Sequence, residues 1–402
     1  MLNFRASFFT APHRVMFLGG TVQALLAMAF WSLQTGGHYA GLWQVPVWPL
    51  MTVFPAVMVH ALLMAGGVFP WFVFGFILTA GPRWQGAADL DQAGFLPPFV
   101  LLATGWSMAF IALLLPATLV IGMVLVLAGW LLVARMLTGI ALRSAASREH
   151  IGFVAVAAWA GAAGMAAFAV MAASNDLAWG RLGLSLTIWG FLLPVFVSVA
   201  HRMLPFFTSA VVRGYSVRRP VWALRVLVVA SLTHGMLAIA ELPGWLWLAD
   251  LPGMIAAAAL SHGWWQHGVL GNRMVAVLHI AFAWLAPTFA FFLLQSLAPG
   301  AVGQAPIHAI ALGFFSSMLI GMVSRVTLGH SGRPVLADRA MWAAFCLMQA
   351  AAVLRLVGEL PLPGGGATLL WLSSVAWFGA FAVWAAVYAP LLWRPRTDGK
   401  AG

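Results

Sequence analysis

The sequence predicts an all-α, polytopic membrane protein with about twelve transmembrane helices. Two features of its composition predict this class: 63% of the 402 residues are hydrophobic and only 7% are charged, whereas about a quarter of the residues are charged in a typical soluble domain. The third observation is the recurrence of apolar windows of ~20 residues, the length that crosses ~30 Å of hydrocarbon at ~1.5 Å per residue.

Twelve such windows account for most of the chain, and the connections between them are too short to form a soluble domain. We therefore expect residues 1–402 to form a single integral membrane domain. The second window is long and contains Pro70, which predicts a tilted or kinked helix. The predicted spans lie near residues 15–33, 50–80, 97–115, 117–137, 151–173, 184–207, 221–241, 245–262, 274–297, 305–328, 340–358 and 368–390.

The basic residues predict the orientation of these helices. With both termini on one side of the membrane, the connections on the opposite side carry only Arg181 and Arg355. Because connections rich in Lys and Arg stay in the cytoplasm, we expect both termini there. The scatter of the arginines between apolar runs also explains the net charge of +11 without nucleic-acid binding. The predicted cytoplasmic side collects Arg5, Arg14, Arg83, Arg135, Arg143, Arg148, Arg213, Arg218, Arg219, Arg273, Arg333, Arg339, Arg394, Arg396 and Lys400.

Three further features narrow the class of protein. No small-residue cleavage site follows the first apolar run, so we expect a retained first span rather than a signal peptide. Cys346 is the only cysteine, which excludes an internal disulfide and a four-cysteine iron–sulfur site. Lys400 is the only lysine, and its place in the C-terminal tail disfavours a rhodopsin-type Schiff base.

Histidine recurs within the predicted spans, where ionisable side chains are rare. The acidic residues, such as Asp250 and Glu359, fall near span ends, which disfavours a proton-coupled transporter. Imidazole is a common ligand of haem iron and of copper, although each histidine can instead be a hydrogen-bonded contact between helices. The predicted topology places His60, His234 and His308 in the outer half of the membrane, and His201, His279 and His330 toward the cytoplasm.

Two of the predicted spans share a pattern. "HALLMAGGVFPWFVFGFILTAG" (60–81) and "HAIALGFFSSMLIGMVSRVTLG" (308–329) both begin with His-Ala and end with Thr-x-Gly at the same spacing. Because both spans are predicted to run from outside to inside, His60 and His308 should lie at similar depth. By contrast, His262 and His267 lie five residues apart at a span end beside tryptophans, and we interpret them as part of an interfacial belt.

Four segments carry a resemblance to a known family. "HAIALGFFSSMLIGMVSRVTLGHSGRP" (308–334) resembles the most distinctive segment of the NnrS family, which ends in Leu-Gly-His-x-Gly-Arg-Pro. "HRMLPFFT" (201–208), "VLHIAFAWL" (277–285) and "GFILTAGPRWQG" (75–86) are similar to three further motifs of that family, in the same order.

The resemblance implies a haem- and copper-containing protein of the bacterial inner membrane, linked to nitric oxide metabolism and resistance to nitrosative stress, with no settled reaction. It places His60, His201, His279, His308, His330, Arg202, Arg325 and Arg333 in or beside family motifs. On that basis we expect a haem to be bound by His201, His279, His308 and His330 with Arg202, Arg325 and Arg333. We expect His60, His234 and His308 to be metal ligands.

The second span departs from the family pattern. Family members usually read His-Ala-His-Glu-Met, whereas this chain reads "HALLM" (60–64), so that Leu62 and Leu63 replace a histidine and a glutamate. The departure makes copper a weaker expectation than haem, with His201 and His234 as candidate substitutes for the missing residues.

The segment 324–334, "SRVTLGHSGRP", predicts contacts with an acidic cofactor at the end of a span. The Arg325 guanidinium can form bidentate bonds to a carboxylate such as a haem propionate, and Gly329 and Gly332 permit a close backbone approach. We further expect His201 and His279 to bind one haem iron from two helices. The alternative interpretation is an ordinary, positively charged helix end.

Two other functions stay open on the sequence. A transporter of a small solute or metal would show a continuous polar path and no stoichiometric cofactor. A divergent family member would have lost its metal site, as the replacement at Leu62 and Leu63 suggests. Whether the chain is an enzyme that reduces nitric oxide also stays open. Such a reaction needs protons, and the sequence shows no obvious path for them.

Overall fold

The computed structural model describes residues 8–143, 149–360 and 366–399. Within these ranges the regular elements are all helical, and twelve helices are long and apolar enough to cross a membrane. The predicted all-α, polytopic fold is therefore confirmed. Among the basic residues that predict the orientation, Arg5, Arg148 and Lys400 lie outside the described residues, and the cytoplasmic location of the termini stays a prediction.

We number the spanning helices α1 to α12 in chain order. The connections between them are short, so that helices adjacent in sequence run in opposite directions. Their bounds are Pro12–His38, Ala56–Trp84, Gln92–Ile111, Thr118–Leu142, Glu149–Ser174, Leu177–Ser209, Val221–Ile239, Pro243–Trp264, Arg273–Leu297, Ala305–His330, Arg339–Val357 and Ala367–Leu392.

The starts of α2 and α6 differ most from the predicted windows, for local reasons. Helix α2 begins at Ala56 rather than near residue 50, because Pro49–Thr52 forms a separate 3-10 turn and Pro55 precedes the helix in an extended conformation. Helix α6 begins at Leu177 rather than near residue 184, because the Asp176 side chain accepts a hydrogen bond from the Ala178 N–H at 2.9 Å and caps the first turn.

Three helices form the centre of the bundle. The most apolar windows of α2, α6 and α10 are 94%, 72% and 83% buried, whereas those of the other nine helices are 33–56% buried. The three central helices meet through Phe69, Phe196 and Phe315, whose ring centroids lie 4.6–6.4 Å apart in all three pairs. Aromatic contacts of this kind stabilise a packed core beyond the apolar area that they bury.

The other nine helices pack around the central three. Helices α3, α4 and α5 pack against one another and lead back to α6; helices α7, α8 and α9 lead from α6 to α10; helices α11, α12 and α1 lead from α10 to α2. Each pair of central helices is therefore enclosed by one arc of peripheral helices, which defines three clefts. We call them the first cleft (α2 and α6), the second cleft (α6 and α10) and the third cleft (α10 and α2).

Each central helix contains one π-helical segment. These segments are Leu62–Val68, Leu186–Leu192 and Ala309–Ser316, and nearly equal lengths of chain separate them. Pro70 and Pro194 lie two residues beyond the last residues of the first two segments, where the wider turn accommodates a residue without an N–H donor. The irregularity predicted at Pro70 is therefore a π-helical segment, and it recurs in all three central helices.

Candidate functional site

The first cleft is filled by aromatic side chains. Trp130 of α4 is fully buried, and its ring lies 4.7 Å from that of Phe74 on α2 and 4.6 Å from that of Phe191 on α6. Gly161 of α5 lies against the same indole, and a Cβ atom there would collide with it. The first cleft is therefore closely packed around Trp130.

The second cleft is also filled. Trp264 of α8, Phe282 of α9 and Phe314 of α10 form a chain of ring contacts, with centroids 4.8 Å and 5.8 Å apart. Nearer the other end, Trp189 of α6 stacks on the His234 ring with a centroid distance of 3.7 Å.

The third cleft contains a cavity of about 590 Å³. Its walls come from all three central helices and from α1, α11 and α12, and most of the lining side chains are apolar. Two histidines, His60 of α2 and His308 of α10, line this cavity. Each of them lies just before the π-helical segment of its own helix, in keeping with the similar depth predicted from their shared pattern.

His308 has one ring nitrogen committed and one free for a ligand. Its Nδ1 lies 2.8 Å from the backbone carbonyl oxygen of Gln304, one turn earlier. A carbonyl only accepts hydrogen bonds, so Nδ1 carries the proton and Nε2 keeps its lone pair. A backbone carbonyl on one nitrogen is the usual way in which proteins orient a histidine whose other nitrogen binds a metal.

His60 is held by stacking rather than by hydrogen bonds. Its ring lies 4.1 Å from that of Trp31 on α1, with an interplanar angle of 16°. Its Nδ1 is buried and has no hydrogen-bond partner within the described part of the chain. Buried polar atoms without a partner are uncommon in native proteins, and they are found where a ligand or ion belongs.

A charged pair lies at the end of the cavity where α10 begins and α11 ends. Arg355 and Glu359 form an ion pair one helical turn apart, and each side chain is 14% exposed. Glu359 also accepts a hydrogen bond from the Gln304 N–H at 3.1 Å. In the sequence, Arg355 indicates only the orientation of the helices, because a side chain near a span end does not reveal which helix it faces.

The leucines that replace the usual family residues have a different environment. Leu62 and Leu63 are each 2% exposed and belong to the hydrophobic core, whereas Ala61 and Met64 beside them line the cavity. The substituted positions therefore lie behind the cavity wall.

The predicted outer-half histidine His234 pairs with a buried carboxylate. Its Nδ1 lies 2.7 Å from Asp250 Oδ1, and the two side chains are 3% and 0% exposed. Asp250 lies in the second turn of α8, so its position in the sequence alone suggested an interfacial residue. The stacking on Trp189 places this pair in the second cleft.

The histidines predicted near the cytoplasm are distributed over separate contacts. His201 Nδ1 lies 3.0 Å from His150 Nε2, and His279 Nε2 lies 2.9 Å from the Thr208 hydroxyl. The His330 ring lies 4.4 Å from that of His13. His13 and His150 carry no family motif and were missed by the sequence analysis. Joint binding of one iron by His201 and His279 stays a prediction.

The three predicted arginines lie near the helix ends that carry the histidines predicted near the cytoplasm. The Arg202 guanidinium lies 4.8 Å from the Trp84 ring centroid, and that of Arg325 lies 3.9 Å from the Phe207 ring centroid. Arg333 has a buried Nη1 atom without a hydrogen-bond partner among the described residues. Stacking on an aromatic face stabilises a guanidinium, and binding of a propionate by these arginines stays a prediction.

Within residues 8–143, 149–360 and 366–399, no group of three or more His, Cys, Asp or Glu side chains is arranged to hold a metal ion. A haem needs only one or two axial side chains, since the porphyrin supplies the other ligands. The third cleft, with two histidines on facing helices, is therefore the candidate site.

Comparison with known proteins identifies the family. No curated protein matches the chain. The family model described as NnrS protein matches residues 7–396, which is nearly the whole chain and includes every helix that lines the third cleft. This multi-pass membrane protein belongs to the NnrS family.

Proposed function

We propose that this chain is a haem-binding protein of the bacterial inner membrane that acts in nitric oxide metabolism or in resistance to nitrosative stress. We further propose that His60 and His308 hold the haem in the third cleft. The nitric oxide role and the location rest on membership of the NnrS family. The observation that supports the haem site is the pair of histidines on α2 and α10 that line one large apolar cavity.

The residues of the cavity fit a haem. Its volume of about 590 Å³ falls in the range of ~300–1,000 Å³ typical of cofactor sites. His308 offers an Nε2 lone pair while its Nδ1–H is fixed on Gln304, and the His60 side chain lines the same cavity from α2. Arg355 supplies a guanidinium suited to a propionate carboxylate.

Each side chain has a defined task in this proposal. His60 and His308 bind the cofactor from two of the central helices, and Trp31 holds the His60 ring in place. Arg355 orients the acidic edge of the cofactor, and the apolar walls exclude water. A haem held between His60 and His308 would supply one-electron transfer.

The proposal assigns no ligands to copper. Leu62 and Leu63, which stand where the family usually has a histidine and a glutamate, are part of the core and offer no lone pair to a metal.

Absorption spectroscopy on the detergent-purified protein tests the proposal. We expect a Soret band that shifts on reduction with dithionite, together with iron near one per chain. We expect His60→Gln and His308→Gln each to lose haem or to change its spectrum, because each removes an axial ligand. His267→Gln is the matched control, since His267 is an exposed histidine at a helix end.

The outcome that contradicts the proposal is equally clear. If the wild-type protein, produced in haem-replete cells, shows no Soret band and contains no iron, the proposed haem function is refuted. A normal haem spectrum in both His60→Gln and His308→Gln would move the site elsewhere in the bundle, with His201 and His279 as the next pair to test. Yield and elution as a single species establish that each variant is folded.

A further inference from the structure

One acidic side chain joins the α10 start to the α11 end beside the cavity. Glu359 lies two residues beyond the last residue of α11, Val357, and its carboxylate accepts the backbone N–H of Gln304 at 3.1 Å. Gln304 directly precedes α10. This contact crosses 55 residues of sequence and ties the entry of α10 to the neighbouring helix.

The turn before α10 is shaped to admit this carboxylate. Gly303 has a φ of +49°, a left-handed conformation that side chains other than glycine adopt at a cost. A Cβ atom on Gly303 would collide with Glu359 Oε2. The glycine is therefore needed both for the turn and for the close approach of the glutamate.

Gln304 connects Glu359 to His308. Its N–H donates to Glu359, while its carbonyl oxygen accepts the Nδ1–H of His308 at 2.8 Å. The N–H and the carbonyl belong to the two peptide groups on either side of the Gln304 Cα, and the carbonyl also accepts the His308 N–H in the first turn of α10. Glu359 therefore anchors the backbone residue whose carbonyl orients the His308 imidazole.

The charge of Glu359 also lies close to the cavity. Glu359 and Arg355 both line it, they form an ion pair, and each side chain is 14% exposed. Water screens such a pair less than it screens a surface pair, so an unpaired charge here would interact with groups in the cavity over a longer distance. Loss of the Glu359 charge would leave the Arg355 cation with one negative partner fewer beside the cofactor.

We propose that Glu359 is a positioning residue that anchors Gln304, whose carbonyl holds His308, and that its charge lowers the reduction potential of the bound haem. This inference rests on the proposed function, because it requires haem in the third cleft. A negative charge near the cavity stabilises the oxidised, more positive state of the iron. The Arg355–Glu359 pair therefore holds the site at a lower potential than Arg355 alone would set.

Glu359→Gln separates charge from geometry. The amide oxygen still accepts the Gln304 N–H, so haem is retained, but the negative charge is gone. We expect the reduction equilibrium to shift about tenfold toward the reduced state, which is a rise in potential of ~59 mV for a one-electron couple. A unit charge changes the energy of the iron by this amount over ~12 Å at an effective dielectric constant of ~20. The measurement is a spectroscopic redox titration of the purified protein.

Two further variants complete the experiment. Glu359→Ala removes both charge and acceptor, and we expect it also to lose haem faster to a haem-scavenging protein. Asp176→Asn is the control, because Asp176 is an exposed carboxylate at the start of α6, at the same end of the bundle and away from the cavity lining. We expect its potential to match that of the wild type.

The results distinguish failure of this inference from failure of the proposed function. A wild-type protein without haem refutes the proposed function, and the inference falls with it. If the wild-type protein binds haem and Glu359→Gln has the same potential as Asp176→Asn, the inference alone is wrong. A fall in the potential of Glu359→Gln would also contradict it.

Discussion

The buried His234–Asp250 pair in the second cleft gives a prediction with a large expected effect. His234→Leu removes the imidazole that lies 2.7 Å from Asp250 Oδ1. The second carboxylate oxygen, Oδ2, is already buried without a hydrogen-bond partner in the described chain. After the substitution neither oxygen has a hydrogen-bond partner in the described chain, and a buried polar group without a partner destabilises the fold.

The size of the effect follows from the burial of both groups. Removing one partner of a buried, hydrogen-bonded pair of ionisable groups costs about 3–5 kcal/mol, because the other group is left uncompensated. Asp250→Asn keeps a polar group of the same shape and should cost less, about 1–3 kcal/mol. The double variant His234→Leu/Asp250→Leu leaves no buried charge and should recover most of the loss.

Thermal unfolding in detergent at one fixed scan rate measures these differences, since membrane proteins often unfold irreversibly. We expect the order of stability to be wild type, double variant, Asp250→Asn, then His234→Leu, with an unchanged haem spectrum throughout. The reasoning is refuted if His234→Leu is as stable as the wild type. Loss of haem or metal from a stable His234→Leu protein would instead support the metal-ligand role predicted for His234 from the sequence.

Three other predictions concern different parts of the bundle. Trp130→Ala opens a void in the first cleft and should destabilise the fold by about 3–5 kcal/mol while the haem spectrum is unchanged; a changed spectrum would mean that this cleft holds the cofactor. In Gly303→Ala the new Cβ atom strains a left-handed turn and contacts Glu359, so we expect this variant to transfer haem to a scavenging protein faster than the wild type does. An equal rate would contradict the role of the turn. Outside the spans, the hydrogen bond from Arg83 lowers the pKa of Asp89, so the pair stabilises the fold above the unfolded pKa of ~3.9 and this contribution is lost as the pH falls through the folded pKa. Because the two side chains are 55% and 58% exposed, Asp89→Asn should cost less than ~1 kcal/mol at neutral pH and nothing at acid pH in thermal unfolding, and a larger loss would show that the pair is less screened than its exposure indicates.

The fold could be predicted well because the membrane makes strong demands on a sequence. A span must be apolar for ~20 residues, and its backbone must satisfy its own hydrogen bonds. Each helix can therefore be predicted from a short segment of the sequence. The π-helical segments were not predictable, because Pro70 indicates an irregular turn without specifying its form. The arrangement of three central helices depends on contacts between distant segments, such as that between Phe69 and Phe315.

The candidate site could be predicted only in part. The shared pattern at His60 and His308 indicated equal depth, and both line the third cleft. Their supporting residues, Trp31 and Arg355, come from helices far away in sequence and carry no local signal. Asp250 illustrates the same limit, because a residue near a helix end becomes fully buried when neighbouring helices cover that end.

The family motifs include both cavity histidines, His60 and His308, but they group the histidines differently from the cavity. The motif-based assignment groups His201 with His279, whereas the structure gives each a separate hydrogen-bond partner, His150 and Thr208. Motifs report which residues a family retains for any reason, including packing and interhelical hydrogen bonds. A histidine that binds a cofactor differs from a structural histidine in that its ring nitrogen faces a cavity, and this can be seen only in the structure.

The most direct test of the central claim is an electron paramagnetic resonance spectrum of the oxidised, purified protein, compared with those of His60→Gln and His308→Gln. The account predicts a low-spin ferric signal in the wild type, because two histidines give the iron a strong axial field, and loss of that signal in each variant. A high-spin signal in the wild type, or a low-spin signal retained in both variants, would contradict haem binding by His60 and His308.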